Sequence, residues 1–200
     1  MERAIKEVLE GDCVVYPTST FPALGCILTS EALDKLYHLK KRPHDMVVSI
    51  AVSNIQQASE LVYLTDDLED FIAAFPEGSL TIILQAKKTL DQRLGGNEIA
   101  IRILSNPIAK KFIQQTGPLT ATSANISGVD TLNDCRMAAE SLSEITNKVA
   151  HISGRCLGGM PSTLIAWHTV CKSPNGREIE VLREGLVTSK EVMEWWKKQI

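Results

Sequence analysis

The sequence predicts a protein of the α/β class, built on a sheet in which some strand pairs are antiparallel. Short apolar runs typical of buried strands alternate along the whole chain with segments of helical periodicity. The chain has 200 residues, 44% of them hydrophobic, which is enough for one substantial core, and no linker-like or repeated segment divides it. We therefore expect a single domain over residues 1–200.

The N-terminal half begins with a helix and then alternates between element types. Apolar residues recur at helical spacing over residues 2–9, which predicts a first helix that ends before Gly11. Pro17 ends a strand over residues 13–16 and opens a polar turn. The other elements predicted in this half are a helix from residue 31 to about 41 capped by Ser30, a strand over 46–52, a helix over 53–62, and a helix over 66–75 capped by Thr65.

The C-terminal half carries clearer start and stop signals. The dipeptide Asn106-Pro107 predicts the start of a helix, and Gly117 predicts its end. Thr188 and Glu191 form a capping box ahead of a last helix over about 189–198. The other elements predicted in this half are strands over 80–85, 99–104, 149–152, 162–167 and 179–182, a strand-like run that opens the stretch 118–128, and a helix over 134–142.

Composition and charge exclude several classes of function. The net charge of −3 and a pI near 5.8 argue against a protein that coats nucleic acid by bulk charge, and leave only a local basic face open. The five cysteines contain no C-x-x-C pair and the four histidines lack ligand spacing, so we expect reduced thiols and no zinc site. The apolar runs are too short to cross a bilayer. The N-terminus is helical and unlike a signal peptide, so we expect a cytoplasmic protein.

The stretch 118–128 concentrates small polar residues. Ser123, Asn125 and Ser127 alternate, so an extended backbone would direct their three side chains to one side. A tightly turned polar segment after a buried strand is a common way to build a small-molecule site. Taken alone, however, the stretch is better explained as an ordinary loop whose side chains bond to nearby backbone.

Three cations have two explanations each. Lys40 and Arg42 lie at the end of a predicted helix just before Pro43, where the helix dipole alone stabilises positive charge. If the helix frays at Lys40, both side chains can grip one anion between them. Arg102 interrupts an apolar strand, and its guanidinium needs a carboxylate, a phosphate or open solvent on an edge strand. The residues alone leave these alternatives open.

Two segments near the C-terminus complete the candidate set. The segment 158–163 turns at two glycines and reaches Ser162, and Arg183 lies at a strand end ahead of Gly185. The sequence contains neither a P-loop nor a dinucleotide-binding glycine motif, and no catalytic triad signature. Four cations without matching acids indicate an anionic ligand and phosphate chemistry. The full set is Thr18, Thr20, Lys40, Arg42, Arg102, Ser123, Asn125, Ser162 and Arg183.

Six short motifs in a fixed order make the chain similar to a known family. They are Pro-Thr-x-Thr at 17–20, Lys-x-Arg at 40–42, a strand bearing Arg102, Ser-x-Asn within 123–128, Ser-Thr at 162–163 and Leu-Arg-x-Gly at 182–185. Their order resembles the YrdC-like family of threonylcarbamoyl-AMP synthases, in the short form without an extra C-terminal domain. The motifs span about residues 10–187. The resemblance implies a single-domain twisted mixed sheet with flanking helices.

The resemblance also implies an activity and a division of roles. A nucleotidyltransferase of this family condenses L-threonine, bicarbonate and ATP into threonylcarbamoyl-adenylate and pyrophosphate, for the t6A modification of tRNA. Magnesium is implied with ATP, held mainly by the phosphates and not by protein ligands. Contact with tRNA and with downstream threonylcarbamoyl-transferase proteins is implied as well. The implied site residues are Lys40, Arg42, Ser123, Asn125 and Arg183 for ATP, with Lys40 and Arg42 as catalytic residues, and Thr18, Thr20, Arg102 and Ser162 for threonine.

Two departures from the family pattern leave other functions open. In the turn after the first strand, Pro22 replaces the usual aromatic residue and Ala23 the usual glycine, so we expect different packing and backbone conformation there. Residues 76–81 read PEGSLT where the family usually has WPGPLT. The alternatives are an RNA-binding module with a basic concave face and a family member that uses another amino acid. The retained Ser-x-Asn pair favours the synthase.

Overall fold

A computed structural model describes residues 1–143, 148–171 and 178–199 of the chain. Within these ranges, seven α-helices and nine strands interleave as the sequence predicts. The helices are α1 (Glu2–Leu9), α2 (Ser30–Lys40), α3 (Ile55–Leu61), α4 (Asp66–Ala73), α5 (Pro107–Thr116), α6 (Cys135–Leu142) and α7 (Ser189–Trp196). The strands are β1 (Val14–Tyr16), β2 (Ala23–Gly25), β3 (Ser49–Val52), β4 (Leu80–Gln85), β5 (Glu98–Ile103), β6 (Leu119–Ser123), β7 (Ala150–His151), β8 (Thr163–Ala166) and β9 (Glu180–Arg183).

The strands form one mixed sheet, which confirms the predicted fold class. Across the sheet the order is β7-β1-β2-β6-β3-β5-β4-β8-β9. The pairs β1/β7, β3/β5 and β4/β8 are parallel, and the other five are antiparallel. Because β5 lies between β3 and β4, Arg102 is on an interior strand. The alternative that placed Arg102 on a solvent-exposed edge strand is therefore wrong.

Alternation along the central strands sends apolar residues to one face of the sheet. Ile50, Ile82 and Ile101 all belong to the main core, together with residues of α2, α3, α4, α6 and α7. On the opposite face, Ala51 and Leu104 belong to a smaller core under α1 and α5. The rest of that second face carries a cavity instead of a helix. The functional site described below occupies this part of the sheet.

The structure corrects one strand and two caps. β2 was not predicted, because three residues between Pro22 and Cys26 are too few for a periodic pattern. Thr29, and not Ser30, caps α2 by accepting a hydrogen bond from the backbone of Ala32 at 3.4 Å. Thr65 occupies the N-cap position of α4, but its hydroxyl accepts from the Trp167 indole at 2.8 Å. Tertiary partners therefore displaced two locally plausible caps.

Most of the remaining predicted boundaries agree closely, but β3 begins at Ser49 and not at residue 46 as predicted. Asn106 caps α5 with Pro107 in its first turn, and Gly117 ends it. Thr188 and Glu191 form both bonds of the capping box on α7. All five cysteines are free thiols, and four of them are buried. Among the described residues, no helix has the length and hydrophobicity needed to cross a membrane.

Candidate active site

A cavity of about 360 Å³ lies on the open part of the sheet face, and six of the nine predicted site residues line it. Its floor consists of side chains that alternate with core residues on the central strands, such as Thr81, Ala100 and Leu164. The predicted residues at its wall are Thr20, Arg42, Arg102, Ser123, Ser162 and Arg183. The three others, Thr18, Lys40 and Asn125, lie behind the wall and hydrogen-bond to Thr20 or Ser123.

The cavity is positively charged. Arg42, Arg102 and Arg183 line it, and no Asp or Glu of the described chain does. Burial lowers the pKa of Arg102 to about 10 and lowers the pKa of Arg183 below its usual value. Both side chains remain cationic at neutral pH. The buried charge of Arg102, which has no carboxylate partner among the described residues, fits an anionic ligand.

Arg102 is held by neutral oxygens only. Its Nε and Nη2 atoms donate to the backbone carbonyl of Gly78 at 3.1 and 2.9 Å. Nη2 also donates to the hydroxyls of Ser19 and Thr20, each at 3.2 Å. The side chain is 9% exposed, and the described hydrogen bonds do not use Nη1. Part of a fixed guanidinium therefore remains available to a ligand in the cavity.

Gly78 is a functional residue that the sequence motifs did not single out. Its φ is +79°, and a Cβ at this position would lie 2.7 Å from Ser105 Oγ. Glycine is thus required for the turn that aims the Gly78 carbonyl at Arg102. Thr81 was also missed: it lines the cavity and its hydroxyl lies 2.7 Å from that of Ser162. Both residues match the family pattern at 76–81, where PEGSLT keeps the Gly and Thr of WPGPLT, and this agreement is the signal that could have indicated them.

Thr18 organises the turn after β1 from beneath. Its Oγ1 accepts from the backbone N–H of Thr20 at 3.2 Å and donates to the carbonyl of Phe21 at 2.7 Å. The backbone of Thr18 donates to Cys156 Sγ, and that of Gly158 donates to the Thr20 carbonyl. Thr18 is 2% exposed and does not line the cavity. It therefore reaches the site through Thr20.

Lys40 and Arg42 point in different directions. Lys40 is the last residue of α2, and Lys41 follows in the left-handed conformation with φ of 49°. The guanidinium of Arg42 lines the cavity and donates to the carbonyls of Met46 and Val47, both at 2.9 Å. Lys40 is 1% exposed and donates to the turn after β6. The two cations do not enclose one anion between them, contrary to the expectation for a frayed helix.

The turn after β6 is hydrogen-bonded to both the side chain and the backbone of Lys40. The Lys40 ammonium donates to the carbonyls of Ser123 and Asn125, the second at 2.7 Å, and the Lys40 carbonyl accepts from the backbone of Ser127 at 2.8 Å. Ser123 Oγ bonds to Asn125 Oδ1 at 2.5 Å. The turn predicted as an ordinary loop is thus internally bonded, as expected, and it also forms part of the cavity wall through Ser123.

The two C-terminal motifs form one corner of the cavity. Arg183 Nη2 donates to the carbonyl of Ser162 at 2.8 Å. Gly185 packs so closely on residues 161–162 that a Cβ there would overlap their backbone. Its N–H donates to Thr163 Oγ1 at 3.1 Å. A glycine ahead of α7 is therefore required to bring Arg183 to Ser162.

The departures at Pro22 and Ala23 fall on the cavity wall. Both residues are buried and line the cavity, and Ala23 pairs with Ser123 in the sheet. Ala23 has no positive φ, since Lys41 is the one non-glycine residue with positive φ in the described ranges. Ala23 therefore adopts ordinary strand backbone, and a difference in conformation from the family glycine stays a prediction. In this chain Pro22 and Ala23 contribute to the shape of the cavity wall.

The fold and this cavity define an α/β protein with a positively charged cavity of small-molecule size on the uncovered face of a mixed sheet. A family model of Sua5, YciO and YrdC proteins, described as "Telomere recombination", matches residues 6–185. The chain therefore belongs to the Sua5/YciO/YrdC family.

Relatives in this family carry consistent names. The chain is 32% identical over 163 residues to a putative threonylcarbamoyl-AMP synthase of Methanocaldococcus jannaschii, covering 80% of this chain and 76% of that one. It is 30% identical over 171 residues to a threonylcarbamoyl-AMP synthase of Pseudoalteromonas translucida, covering 80% and 89%. Both matches exceed two thirds of the relative's length.

Solved structures agree with the fold. Sua5 of P. abyssi complexed with L-threonine superimposes with a TM-score of 0.81 at 26% identity. That match covers 96% of this chain, and the chain spans 56% of the Sua5 chain. YciO of E. coli has a TM-score of 0.76 at 22% identity, over 95% of this chain and 91% of that one. The second comparison supports the fold alone.

Proposed function

We propose that the protein is a threonylcarbamoyl-AMP synthase, a nucleotidyltransferase that condenses L-threonine, bicarbonate and ATP. The observation that carries the proposal is the cavity lined by Arg42, Arg102 and Arg183, with hydroxyls between them and no acid from the described chain. A cavity of about 360 Å³ suits small molecules. Arg102, which is buried at the cavity wall, favours this function over an RNA-binding module, which needs its cations on an open surface.

The division of roles is the one that the family resemblance implies, and the chemistry agrees with it. Arg102 with Thr20 and Ser162 is assigned to L-threonine, because an arginine offers paired donors to a carboxylate, and Thr18 supports Thr20. Arg42 and Arg183 supply charge for the phosphates of ATP, and Ser123 contributes a hydroxyl to the same ligand. Asn125 and Lys40 belong to the ATP part of the site through Ser123. ATP binding and catalysis by Lys40 and Arg42 remain predictions.

Magnesium enters the proposal as part of the substrate MgATP. The described residues contain no cluster of three or more His, Cys, Asp or Glu side chains that could hold a metal, and the cavity wall offers hydroxyls and arginines. Oxygen-rich phosphates are the ligands that Mg²⁺ prefers. The phosphates of ATP would therefore hold the ion, and the arginines would bind the remaining phosphate charge.

The reaction needs aligned reactants more than a protein nucleophile. The threonine amine attacks bicarbonate carbon, water leaves, and a carbamate forms. A carbamate oxygen then attacks the α-phosphorus of ATP, and the bond to pyrophosphate breaks. The protein would hold the three reactants in one cavity and neutralise the charge on the phosphates. The product would serve t6A modification of tRNA, with tRNA contact, transferase partners and a cytoplasmic location as further parts of the proposal.

The test is pyrophosphate release from MgATP in the presence of L-threonine and bicarbonate. We expect release that requires all three substrates, together with a product of the mass of threonylcarbamoyl-AMP. An Arg136→Met variant serves as a control, because Arg136 is exposed on α6 and does not line the cavity. Release that ignores threonine, or no release with any standard amino acid, would contradict the proposal.

A family member that uses another amino acid is the second candidate, because Pro22 and Ala23 both line the cavity. Pro22 leaves more room than the usual aromatic residue at this wall, and the methyl group of Ala23 fills space that the usual glycine leaves open. Amino-acid-dependent exchange of ATP and pyrophosphate, measured across a panel, distinguishes the two. The first proposal expects threonine to give the highest rate, and a higher rate with any other amino acid favours the second.

A further inference from the structure

The Lys40 ammonium is enclosed by protein oxygens. Its three described acceptors are the carbonyl oxygens of Ser123 and Asn125 and, at 3.4 Å, Asn125 Oδ1. An ammonium group has three protons, so these acceptors use all of its donors. Lys40 is 1% exposed and is not among the residues that line the cavity. Lys40 therefore links α2 to the turn after β6.

The orientation of the Asn125 amide is determined by its neighbours. Nδ2 lies 2.6 Å from the carbonyl of Val129 and 3.1 Å from that of Ile126, and both are acceptors, so the nitrogen must face them. Oδ1 consequently faces Lys40 and Ser123. Since Lys40 is a donor, and Oδ1 can only accept, the proton between Ser123 Oγ and Oδ1 comes from Ser123.

This assignment fixes what Ser123 can offer to a ligand. Its hydroxyl proton is directed at Asn125 over 2.5 Å, so only lone pairs remain for the cavity. A group that can only accept binds a donor on the ligand, such as a ribose hydroxyl, and repels phosphate oxygens. The phosphates are then left to Arg42 and Arg183, whose guanidinium groups line the same cavity.

We propose that Lys40 is a positioning residue that acts on the ligand only through the turn 123–127, where it fixes Ser123 as a hydrogen-bond acceptor toward the cavity. The proposal rests on the function proposed above, because it assigns roles within the ATP part of that site. It separates the two cations of the Lys-x-Arg motif: Arg42 contacts the ligand, and Lys40 holds the turn that contacts it.

A double-mutant cycle on nucleotide binding tests this separation. Calorimetry would measure MgATP and adenosine binding to the full chain and to Lys40→Met, Ser123→Ala and the double variant. We expect each single change to weaken MgATP binding by about tenfold, and the double change to weaken it little more than either one. Adenosine, which lacks phosphates, should lose affinity by a similar factor.

Two further variants keep the test decisive. Lys40→Arg retains the charge, but no single guanidinium nitrogen can donate three hydrogen bonds to the same oxygens as the ammonium does. We therefore expect it to bind MgATP as weakly as Lys40→Met does. If Lys40→Met does not fold, Lys40→Arg replaces it in the cycle. Lys41→Met is the matched control, because Lys41 is the exposed neighbour and should leave both affinities unchanged.

The outcomes separate this inference from the proposed function. Three outcomes would each show that Lys40 contacts the phosphates directly, and would overturn the inference alone. They are affinity losses that multiply in the double variant, a loss of affinity for MgATP but not for adenosine, and full MgATP affinity in Lys40→Arg. A wild-type chain that does not bind MgATP would overturn the proposed function and the inference with it.

Discussion

Arg102 and Lys40 are both buried cations beside the same cavity, yet their hydrogen bonds are directed differently. The bonds of Arg102 go to Gly78, Ser19 and Thr20 and leave Nη1 unused by the described residues. The bonds of Lys40 go to the turn after β6 and use all three protons. Burial of a cation therefore does not by itself identify a ligand contact. A fixed donor that no protein acceptor uses is the better criterion.

Arg102→Met should produce the largest effect, and it tests the claim that Arg102 contacts the ligand. Removing a buried charge that pairs with a carboxylate typically costs 2–5 kcal/mol, so we expect roughly a 1000-fold fall in kcat/KM for L-threonine. MgATP affinity should change little, because Arg42 and Arg183 remain. Steady-state pyrophosphate release and calorimetry with MgATP measure the two quantities. An equal loss of MgATP affinity would contradict the assignment of Arg102 to threonine.

The pH dependence of stability tests the claim that Lys40 is buried and enclosed by protein oxygens. Burial, followed by the charge of Arg42, lowers the pKa of Lys40 from 10.5 to about 8. Between these values the unfolded chain binds more protons, so the free energy of unfolding should rise with pH through that window. At about 1.4 kcal/mol per pKa unit, the rise is at most about 3 kcal/mol.

Lys40→Met should lack this part of the rise, and denaturant unfolding at about pH 7 and about pH 10 would measure it. Arg102 has a pKa of about 10, so its own contribution begins above most of the Lys40 window. The same pH dependence in wild type and variant would contradict a buried, enclosed Lys40. Lys41→Met is again the control, because its side chain is exposed.

Gly78→Ala should have an intermediate effect on the threonine binding assigned to Arg102. The new Cβ would lie 2.7 Å from Ser105 Oγ and would displace the carbonyl that holds Arg102, so we expect about tenfold weaker threonine binding. Gly11→Ala is a matched control with φ of +87° and nothing within 4 Å of its Cβ. Both variants should lose about 1 kcal/mol of stability from the left-handed backbone. Only Gly78→Ala should lose threonine affinity.

Thr81→Val should have the smallest effect. It removes the 2.7 Å bond to Ser162 while keeping the shape of the side chain, so we expect a loss of about 1 kcal/mol, or about fivefold in the KM for threonine. The kcat should change little. Unchanged kinetics would show that Ser162 does not depend on Thr81 for its orientation.

The sequence identified which residues belong to the site better than it predicted where their side chains point. Short motifs named six residues that line the cavity and three that support it, because motif order reflects which strand ends meet. The left-handed residue Lys41 lies between Lys40 and Arg42, and a lysine carries no sequence signal for that conformation. The acceptor for Arg102 is a backbone carbonyl of Gly78, which a side-chain pattern cannot indicate.

The fold was predictable where an element carries its own signals. β4 and α5 have long periodic runs or paired caps, and their observed bounds agree with the predicted ones. β2 has three residues and depends on pairing with β1 and β6. Gly25 permits that pairing, since a Cβ there would lie 2.6 Å from Tyr16 Cε1. Contacts between distant segments therefore determine what local patterns cannot.

Calorimetric titration of L-threonine tests the contrast between the two cations most directly. The account predicts that wild type and Lys40→Arg bind L-threonine with similar affinity, because Lys40 acts through Ser123, which is assigned to ATP. It predicts that Arg102→Met loses binding, although Arg136→Met retains it. Threonine binding that survives in Arg102→Met, or that disappears in Lys40→Arg while the variant stays folded, would contradict the account.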